Sequence, residues 1–245
     1  MPIEVRVVAD ADALAVTGAG LVADAIRADP ELTILAATGD TPMGIYAALA
    51  DLVRRGELDA SRVHVAQLDE YAGVAATDRR SLFGWTRRAV LEPLGVHRDR
   101  TVRLDGEAAD RDAACRAYDA AIAGLGGIAL AILGLGPNGH LGFNEPPSPA
   151  DAPTRPVPLT PQSVESNARY WGSAEEVPRL ALTAGMSTIL GARRVLLVVS
   201  GAHKRPIVSR LLGSNPDPRL PASHLHAHPA AILLADDAAI PGGAD

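Results

Sequence analysis

The chain has 245 residues and a formal net charge of -6, and 47% of its residues are hydrophobic against 21% charged. A chain of this length and composition can bury a large core, which excludes a disordered protein. The negative charge and the lack of a basic stripe interleaved with aromatic residues argue against a nucleic-acid partner. We expect a single domain over residues 1–245, since α/β folds of this length commonly form one unit.

The cysteine content and the distribution of apolar residues indicate the cellular compartment. A single cysteine, Cys115, rules out a disulfide within the chain. The N-terminal segment carries charges where a signal peptide would be apolar, and no apolar stretch reaches the about 18 residues of a membrane span. These features predict a cytoplasmic protein with no membrane partner.

Short apolar runs alternate along the chain with longer segments of helical period. In order, the runs are IEVRVVA, LTILAAT, RVHVAQL, IALAILGL, LALTAG, RVLLVVSG and AAILLAD. Most are apolar nearly throughout, which is typical of strands covered on both faces and hence of a parallel sheet. The intervening segments are long enough to cross over and end near a glycine. The pattern predicts an open, doubly wound, mostly parallel α/β sheet with helices on both faces, a Rossmann-like fold.

The Pro-rich stretch EPPSPADAPTRPVPLTP, residues 145–161, interrupts this alternation. Because the strand pattern resumes after it, we interpret it as a long loop rather than an interdomain linker. We expect a lid segment near residues 150–175.

In such sheets ligands bind outside the carboxyl ends of the strands, so the residues that follow each apolar run are the candidates for chemistry. The segment TGDTP, residues 38–42, follows the second run. Pro42 suits the first position of a helix and Thr41 its N-cap, so Gly39 to Thr41 would wrap a helix N-terminus that attracts an anion. An ordinary strand-to-helix turn is the alternative, and Asp40 would repel a phosphate unless its side chain turned outward.

Lys204 is the single lysine among 23 basic residues, and it follows the sixth run. A compact ammonium group at this edge of the sheet suits a phosphate, although a solvated surface lysine is the alternative. Arg169, in PQSVESNARYWG, is a weaker candidate cation, because most arginines in such helices face water.

The adjacent acids Asp69 and Glu70 follow the third run. Side chains alternate at a strand end, so the two carboxylates cannot both point into one cleft. One is a candidate base, and the other is expected to brace the loop.

The stretch LGLGPNGHLGFNEPP, residues 133–147, follows the fourth run and combines glycines with polar residues. Its glycines permit tight turns and a close approach of the backbone to a ligand. A histidine can carry protons near neutrality, and Asn138 and Glu145 are placed to orient His140. A histidine in a loop is usually a surface residue, but this set of neighbours favours function.

Together with LDEY and TGDTP, the motif LGLGPNGHLGFNEP resembles the glucosamine-6-phosphate deaminase/isomerase family. The resemblance continues through SNARYW, LALTAGMSTIL, SGAHK and HLHAHPAAILLAD, which is nearly the whole chain. The 6-phosphogluconolactonases share the fold, but their corresponding stretch typically reads Gly-Asp-Gly-His-Thr and does not continue as Phe-Asn-Glu-Pro. The resemblance implies a small sugar-phosphate substrate and no metal or cofactor. It is compatible with a homo-oligomer, because the family includes monomers and larger assemblies.

The resemblance also implies roles for single residues in converting glucosamine 6-phosphate into fructose 6-phosphate and ammonia. Asp69 matches the base that moves a proton from carbon 2 to carbon 1. His140 matches the acid/base group that opens the sugar ring, oriented by Glu145 and Asn138. The substrate- and phosphate-binding residues implied in this way are Thr38, Gly39, Asp40, Thr41, Gly139, Arg169 and Lys204.

Three departures from the family pattern qualify this reading. Asn138 can hydrogen-bond His140 but brings no negative charge, whereas some members carry aspartate there. Asp40 replaces the usual glycine or serine. At the allosteric phosphate site of regulated members Arg155 is kept but Val157 replaces the second basic residue, which predicts an enzyme without that regulation. A galactosamine-6-phosphate deaminase, a lactone hydrolase and a non-catalytic sugar-phosphate sensor are the alternatives.

The segment HLHAH places His224, His226 and His228 at alternate positions. On a strand they would share one face, a spacing compatible with a transition metal. No cysteine or carboxylate lies immediately beside them, and the family commonly has a single histidine there, matching His228. We therefore expect no metal.

Overall fold

The computed structural model describes residues 3–242 and shows an α/β arrangement of short strands and helices. In chain order the strands are β1 (Glu4–Val8), β2 (Thr33–Ala36), β3 (His64–Gln67), β4 (Asp69–Tyr71), β5 (Thr101–Val102), β6 (Leu130–Gly134), β7 (Arg155–Pro158), β8 (Leu180–Thr183), β9 (Arg194–Val199) and β10 (Ala231–Asp236). The helices are α1 (Ala11–Ala28), α2 (Asp40–Arg54), α3 (Leu82–Thr86), α4 (Glu92–Leu94), α5 (Arg111–Gly124), α6 (Pro161–Trp171), α7 (Met186–Leu190) and α8 (Arg205–Leu212).

Shorter helical turns connect several of these elements. A π-helical turn, Arg87–Leu91, joins α3 to α4. The 3₁₀ turns are Arg98–Arg100, Ala202–Lys204, Pro221–Ala227 and Asp237–Ala239.

Seven strands form the main sheet, in the order β1-β10-β9-β6-β2-β3-β5. Every neighbouring pair in it is parallel. Along β2, Ile34 and Leu35 point to opposite faces, and each joins a different apolar cluster. Helices α1 and α2 and the α3–α4 region cover the face that carries Ile34, and α5, α7 and α8 cover the other. This architecture confirms the doubly wound, mostly parallel fold predicted from the sequence.

Side-chain caps start three of the longer helices, α1, α5 and α6, where the sequence changes from extended to helical pattern. The carboxylates of Asp10 and Asp110 accept from the backbone N–H three residues ahead, at the starts of α1 and α5. Thr160 caps α6 in the same way and is followed by Pro161, whose fixed φ suits the first helical turn. The caps thus fix the point at which each crossover begins.

The assignment of every apolar run to the parallel sheet was wrong for LALTAG. That run is β8, the central strand of a separate sheet with the order β4-β8-β7, and both of its pairings are antiparallel. The interpretation of residues 145–161 as loop throughout was also wrong, because β7 lies within that stretch. A third apolar cluster, which includes Tyr71, Phe143 and Val164, joins this small sheet to α6.

The predicted lid near residues 150–175 corresponds to β7, α6 and the segments beside them. A closing motion of this segment remains a prediction. Among residues 3–242, no helix is long and apolar enough to cross a membrane.

Candidate active site

Four neighbouring strands of the main sheet deliver the candidate residues to one edge. In the order β9-β6-β2-β3, their carboxyl ends lead to Lys204, the glycine-rich loop 135–147, the start of α2, and Asp69. The chain proceeds from β2 to β3 in one direction and from β6 to β9 in the other, so the strand order reverses between β2 and β6. Such a reversal is where open α/β sheets bind ligands.

The glycine-rich loop folds into a tight turn that holds His140 against its own backbone. The Gly136 N–H donates to the carbonyl of His140, and the Gly139 N–H donates to that of Gly136, both at 3.0 Å. Gly139 has a φ of 87°, which favours glycine. A Cβ at position 136 would overlap the imidazole of His140. Gly136 is therefore needed for the ring to lie where it does.

Glu145 is the centre of a hydrogen-bond network that joins this loop to α6. Its Oε2 accepts from Asn138 Nδ2 at 2.7 Å and faces His140 Nδ1 at 3.3 Å. Its Oε1 accepts from Thr160 Oγ1 at 3.2 Å and from the hydroxyl of Ser163. Burial alone would raise the pKa of Glu145, but the hydrogen bond and charge of His140, with the hydrogen bonds from Ser163 and Asn138, lower it to about 2. The carboxylate is thus held ionised.

This network fixes the tautomer of His140. An ionised carboxylate can only accept, so Nδ1 of the imidazole carries the hydrogen that faces Glu145. Nε2 is then left to exchange a proton with a ligand. The Asn138 carbonyl oxygen also accepts from the His140 backbone N–H at 3.2 Å, so this side chain contacts both partners of the pair.

Asp69 begins β4 and is buried, with 8% of its surface exposed. Within the described part of the chain, no donor lies within hydrogen-bond distance of its carboxyl oxygens. Burial, and next the charge of Glu70, raise the pKa of Asp69 to about 8. A carboxyl group with these properties binds a proton near neutrality and is suited to proton transfer.

Glu70 has the opposite surroundings, because its side chain points away into the structure. Its carboxylate accepts from the N–H groups of Tyr71, Leu82 and Phe83 at 2.9–3.0 Å and from Gln67 Nε2 at 3.0 Å. Burial raises the pKa of Glu70 although these four donors oppose the shift. Glu70 therefore braces the start of α3 against β4, and of the two adjacent acids Asp69 is the one left free for chemistry.

Thr183 connects the Asp69 strand to the glycine-rich loop. It lies opposite Asp69 in the β4–β8 register, and its hydroxyl accepts from the Phe143 N–H at 3.1 Å. Gly142 packs so closely that a Cβ there would lie 3.1 Å from Leu68 Cγ. The strand carrying Asp69 and the loop carrying His140 are thus packed against each other.

The start of α2 provides backbone N–H groups at the same edge. Gly39 is the N-cap, with a φ of 114°, and Asp40 is the first helical residue. The prediction that Thr41 is the N-cap was therefore wrong by two residues, because only glycine readily adopts the backbone turn required at 39. Thr38 and Thr41 flank this turn. The arrangement remains suited to an anion, as the helix dipole and the unpaired N–H groups attract negative charge.

Lys204 lies beside this helix start, at the end of a 3₁₀ turn after β9. Its Nζ donates to the carbonyl of Leu135 at 2.6 Å, which ties it to the glycine-rich loop. Burial lowers the pKa of Lys204, and next the charge of Arg169 lowers it further while that of Asp40 raises it. Lys204 thus lies near enough to Arg169 and Asp40 for both charges to act on it.

Asp40 and Arg169 form an ion pair between α2 and α6. Arg169 Nη2 lies 2.9 Å from Asp40 Oδ2, and both side chains are 62% exposed. Tyr170 Oη donates to the other Asp40 oxygen at 2.9 Å. Asp40 thus turns outward, as a phosphate site requires. Its carboxylate also pairs with the guanidinium of Arg169 on α6.

Several supporting residues were not found from the sequence. Asn144, fully buried, donates to the carbonyls of Leu141 and Ala184 at 2.9 and 2.8 Å. Arg155 donates to the Asn144 carbonyl oxygen at 2.8 Å and to Ser148 Oγ at 3.1 Å. Asn144 belongs to the glycine-rich motif, and the Thr160-Pro161 pair is an N-cap signal, so the sequence marks both Asn144 and Thr160. Their contacts, however, depend on tertiary structure.

Comparison with known proteins places the chain in a family. The model of the glucosamine-6-phosphate isomerases/6-phosphogluconolactonase family matches residues 8–233. The chain belongs to this family. A glucosamine-6-phosphate deaminase of Streptomyces coelicolor is 43% identical over 237 residues, which are 96% of this chain and 91% of that protein. One from Bacillus velezensis is 38% identical over 224 residues, 91% and 93% of the two chains.

Solved structures of two kinds of protein are similar to the chain. A structure described as a monomeric glucosamine-6-phosphate deaminase superposes with a TM-score of 0.94 at 35% identity, over 97% of this chain and 98% of that one. A 6-phosphogluconolactonase from Trypanosoma cruzi gives a TM-score of 0.77 at 18% identity, over 97% and 95% of the two chains. The second likeness shows the shared fold alone.

The three histidines of HLHAH do not share one face, as they would on a strand. They lie in and just after the 3₁₀ turn Pro221–Ala227, where alternate residues point in different directions. His226 Nε2 lies 2.8 Å from the Leu211 carbonyl, and His228 Nε2 lies 2.8 Å from that of Ala192. Across residues 3–242, no group of three or more His, Cys, Asp or Glu side chains is placed to hold a metal ion.

Proposed function

We propose that the protein is a glucosamine-6-phosphate deaminase, an isomerising hydrolase that releases ammonia and fructose 6-phosphate in the breakdown of amino sugars. Relatives with that name at 43% and 44% identity support the proposal. The carrying observation is the pair of contrasting carboxyl groups. Asp69 is buried without a hydrogen-bond partner, and Glu145 is ionised and holds His140.

His140 opens the sugar ring. Its Nε2 takes the proton from the hydroxyl on carbon 1 and returns a proton to the ring oxygen as the bond between them breaks. Glu145 keeps Nδ1 protonated during this exchange and stabilises the transient imidazolium. Asn138 holds the carboxylate in place.

Asp69 then moves a proton between neighbouring carbons. As carboxylate it removes the proton on carbon 2 of the open-chain amino aldose, while the carbonyl oxygen on carbon 1 takes a proton from the substrate's own ammonium group. The resulting enolamine takes the carbon 2 proton from Asp69 at carbon 1. The carbon 2 amine becomes an iminium, to which water adds. Ammonia leaves and the ketose phosphate remains, so the reaction consumes one water and needs no redox step.

The phosphate is bound at the far end of the substrate by Lys204, Arg169 and the N–H groups of residues 39–41, with Thr38 and Gly139 shaping the site. The combination of one half-buried ammonium, one exposed guanidinium and a helix start supports this assignment. No metal or cofactor is required by these steps. We also propose that the chain is one domain and acts in the cytoplasm.

A direct assay tests the proposal. The purified protein is incubated separately with glucosamine 6-phosphate, galactosamine 6-phosphate and 6-phosphogluconolactone, and ammonia and acid are measured. Ammonia release from glucosamine 6-phosphate is expected. Ammonia from the galacto isomer alone would change the substrate, and acid production from the lactone without ammonia would make the protein a lactone hydrolase.

Replacing Lys204 checks the orientation of the substrate. Lys204→Ala is expected to raise KM by about tenfold or more with a smaller effect on kcat, because a charged hydrogen bond to phosphate contributes about 1.5–3 kcal/mol. Arg116→Ala removes an exposed positive charge from α5 and serves as the control. A loss of kcat at unchanged KM would contradict the placement of the phosphate.

We further propose that regulation through the family's allosteric phosphate site is absent. Val157 offers no charge, and Arg155 is engaged by Asn144 and Ser148. The rate is expected to depend hyperbolically on substrate and to be unaffected by N-acetylglucosamine 6-phosphate. A sigmoidal curve relieved by that compound would refute this.

A further inference from the structure

A cavity of about 590 Å³ lies beside β5, outside the candidate active site. Its walls come from the segment after β4, the start of α3 with the π-helical turn, and the residues around β5. The side chains that matter are those of Phe83, Arg87, Arg98, Thr101 and Arg103. None of the residues assigned above to proton transfer or phosphate binding lines it.

The charge of this cavity is positive, in a chain whose net charge is -6. Three guanidinium groups line it, and no carboxylate does. Arg87 and Arg103 each have one acidic partner, Glu92 and Asp105, at a long 3.5 Å. Arg98 is exposed, and its side chain has no ionic or hydrogen-bond partner among the residues that the structure describes. An anion is the ligand that such a lining attracts.

Two buried polar atoms in the wall lack hydrogen bonds. These are Nε of Arg87 and Oγ1 of Thr101. Buried polar atoms are rarely left unpaired, because each costs roughly 1–3 kcal/mol. Arg87 also begins the π-helical turn, a distortion that is frequent at functional sites. A ligand with acceptor atoms that draws these side chains inward would give both atoms a partner.

The size and lining of the cavity indicate an organic ligand rather than an inorganic ion. Its volume falls within the range of about 300–1,000 Å³ of small-molecule sites. The guanidinium of Arg103 lies over the Phe83 ring, 5.8 Å from its centre, so a cation and an aromatic ring are neighbours in the wall of the cavity. That pairing suits a molecule with a flat or apolar part joined to a charged one.

We propose that this cavity is a second binding site, which takes a phosphorylated organic anion of the size of a nucleoside monophosphate. Arg87, Arg98 and Arg103 bind the phosphate, for which the forked guanidinium is well matched. Phe83 packs against the organic part. The Phe83 N–H also donates to Glu70 at 2.9 Å, so the bound molecule contacts the helix start that is fastened next to Asp69.

Calorimetric titration of the intact protein with AMP tests the proposal. AMP is expected to bind at one site in wild type and equally in Lys204→Ala, whose sugar-phosphate site is weakened. Arg98→Gln is expected to reduce the affinity about tenfold or more, the loss of one charged hydrogen bond. Because the exposed Arg98 side chain has no hydrogen bond or ion pair within the described residues, its replacement is expected to leave the melting temperature and deaminase activity unchanged.

Arg116→Gln is the matched control, since it removes the same charge elsewhere and is expected to bind AMP like wild type. Adenosine and inorganic phosphate, titrated separately, are each expected to bind more weakly than AMP. Failure of wild type to bind AMP would overturn the proposal. So would binding that Lys204→Ala abolishes and Arg98→Gln leaves intact, because the ligand would then occupy the sugar-phosphate site. Neither result bears on the deaminase assay.

Discussion

The strand end that carries Asp69 and the loop that carries Glu145 place the same functional group in opposite surroundings. Both carboxyl groups are largely removed from water. Glu145 collects donors from Asn138, His140 and the start of α6, and its pKa falls to about 2. Asp69 has no such donor, and burial beside Glu70 raises its pKa to about 8. Desolvation raises the pKa of both carboxyl groups, and the hydrogen bonds that each group accepts determine whether its pKa ends above or below the usual value.

Under the proposed function, this contrast gives the two acids separate tasks. A carboxylate that stays ionised can hold and polarise a histidine, but it is too weak a base to remove a proton from carbon. A carboxyl group whose pKa is near the working pH can take up and return a proton. One site can therefore run ring opening and proton transfer at the same pH, because its two acids differ in environment.

The largest effect is expected from removing the unpaired acid. Asp69→Asn should lower kcat by about 10²–10⁴-fold, the usual contribution of a general base, with little change in KM. Ammonia release at saturating glucosamine 6-phosphate measures this, with the melting temperature as a check on folding. Turnover equal to wild type would assign the base to another group.

A smaller loss is expected at the other acid, which acts through His140. Glu145→Gln should lower kcat by up to about 10²-fold, as expected when a catalytic group is displaced by about 1 Å. The ring-nitrogen chemical shifts of His140 should show a mixture of tautomers in this variant. Thr160→Val, which removes one donor but keeps the carboxylate, is the milder comparison. A larger loss than in Asp69→Asn would reverse the ranking of the two acids.

The pH dependence sharpens the contrast. Because the pKa of Asp69 is raised to about 8, half of it is in the base form only at that pH, so kcat/KM should rise with a midpoint near pH 8 and level off above it. Glu70→Gln removes a nearby negative charge and should move this rise to lower pH. Asp12→Asn, at the start of α1, should leave it in place. A rise near pH 4 in wild type would show that burial does not perturb Asp69.

The smallest effect is expected at Asn138. Asn138→Asp would replace the amide that donates to Glu145 by a carboxylate that repels it. Losing this donor and adding a like charge should displace Glu145 from His140 and lower kcat roughly threefold to tenfold. Equal or faster turnover would show that the loop gains more from added negative charge near His140 than it loses in this hydrogen bond.

The main sheet and its ligand-binding edge could be predicted from the sequence because long apolar runs report burial on both faces. The small antiparallel sheet could not. Leu180–Thr183 is as apolar as the strands of the main sheet, so its sequence does not distinguish it from them. Arg155–Pro158 contains two prolines, which argue against a strand. Pairing with β4, rather than composition, decides where both belong.

The candidate site was likewise predictable from the sequence only in part. The motif, the strand ends and the family resemblance were enough to name His140, Glu145 and Asp69, whose roles remain proposals. The hydroxyls of Thr160 and Ser163 were missed, because they reach Glu145 from 15 and 18 residues away along the chain. Which of two adjacent acids stays free of partners likewise depends on α3, which folds back onto Glu70.

The ion pair between Asp40 and Arg169 has a consequence for how substrate arrives. A guanidinium that already faces a carboxylate contributes little to the long-range field, so it does not draw a distant anion toward the cleft. If phosphate binds at Arg169 as proposed, its entry is an exchange of partners, in which the Asp40 carboxylate is released as the phosphate is bound. The rate at which the sugar phosphate associates should therefore depend only weakly on ionic strength. Lys204 should supply most of the electrostatic steering.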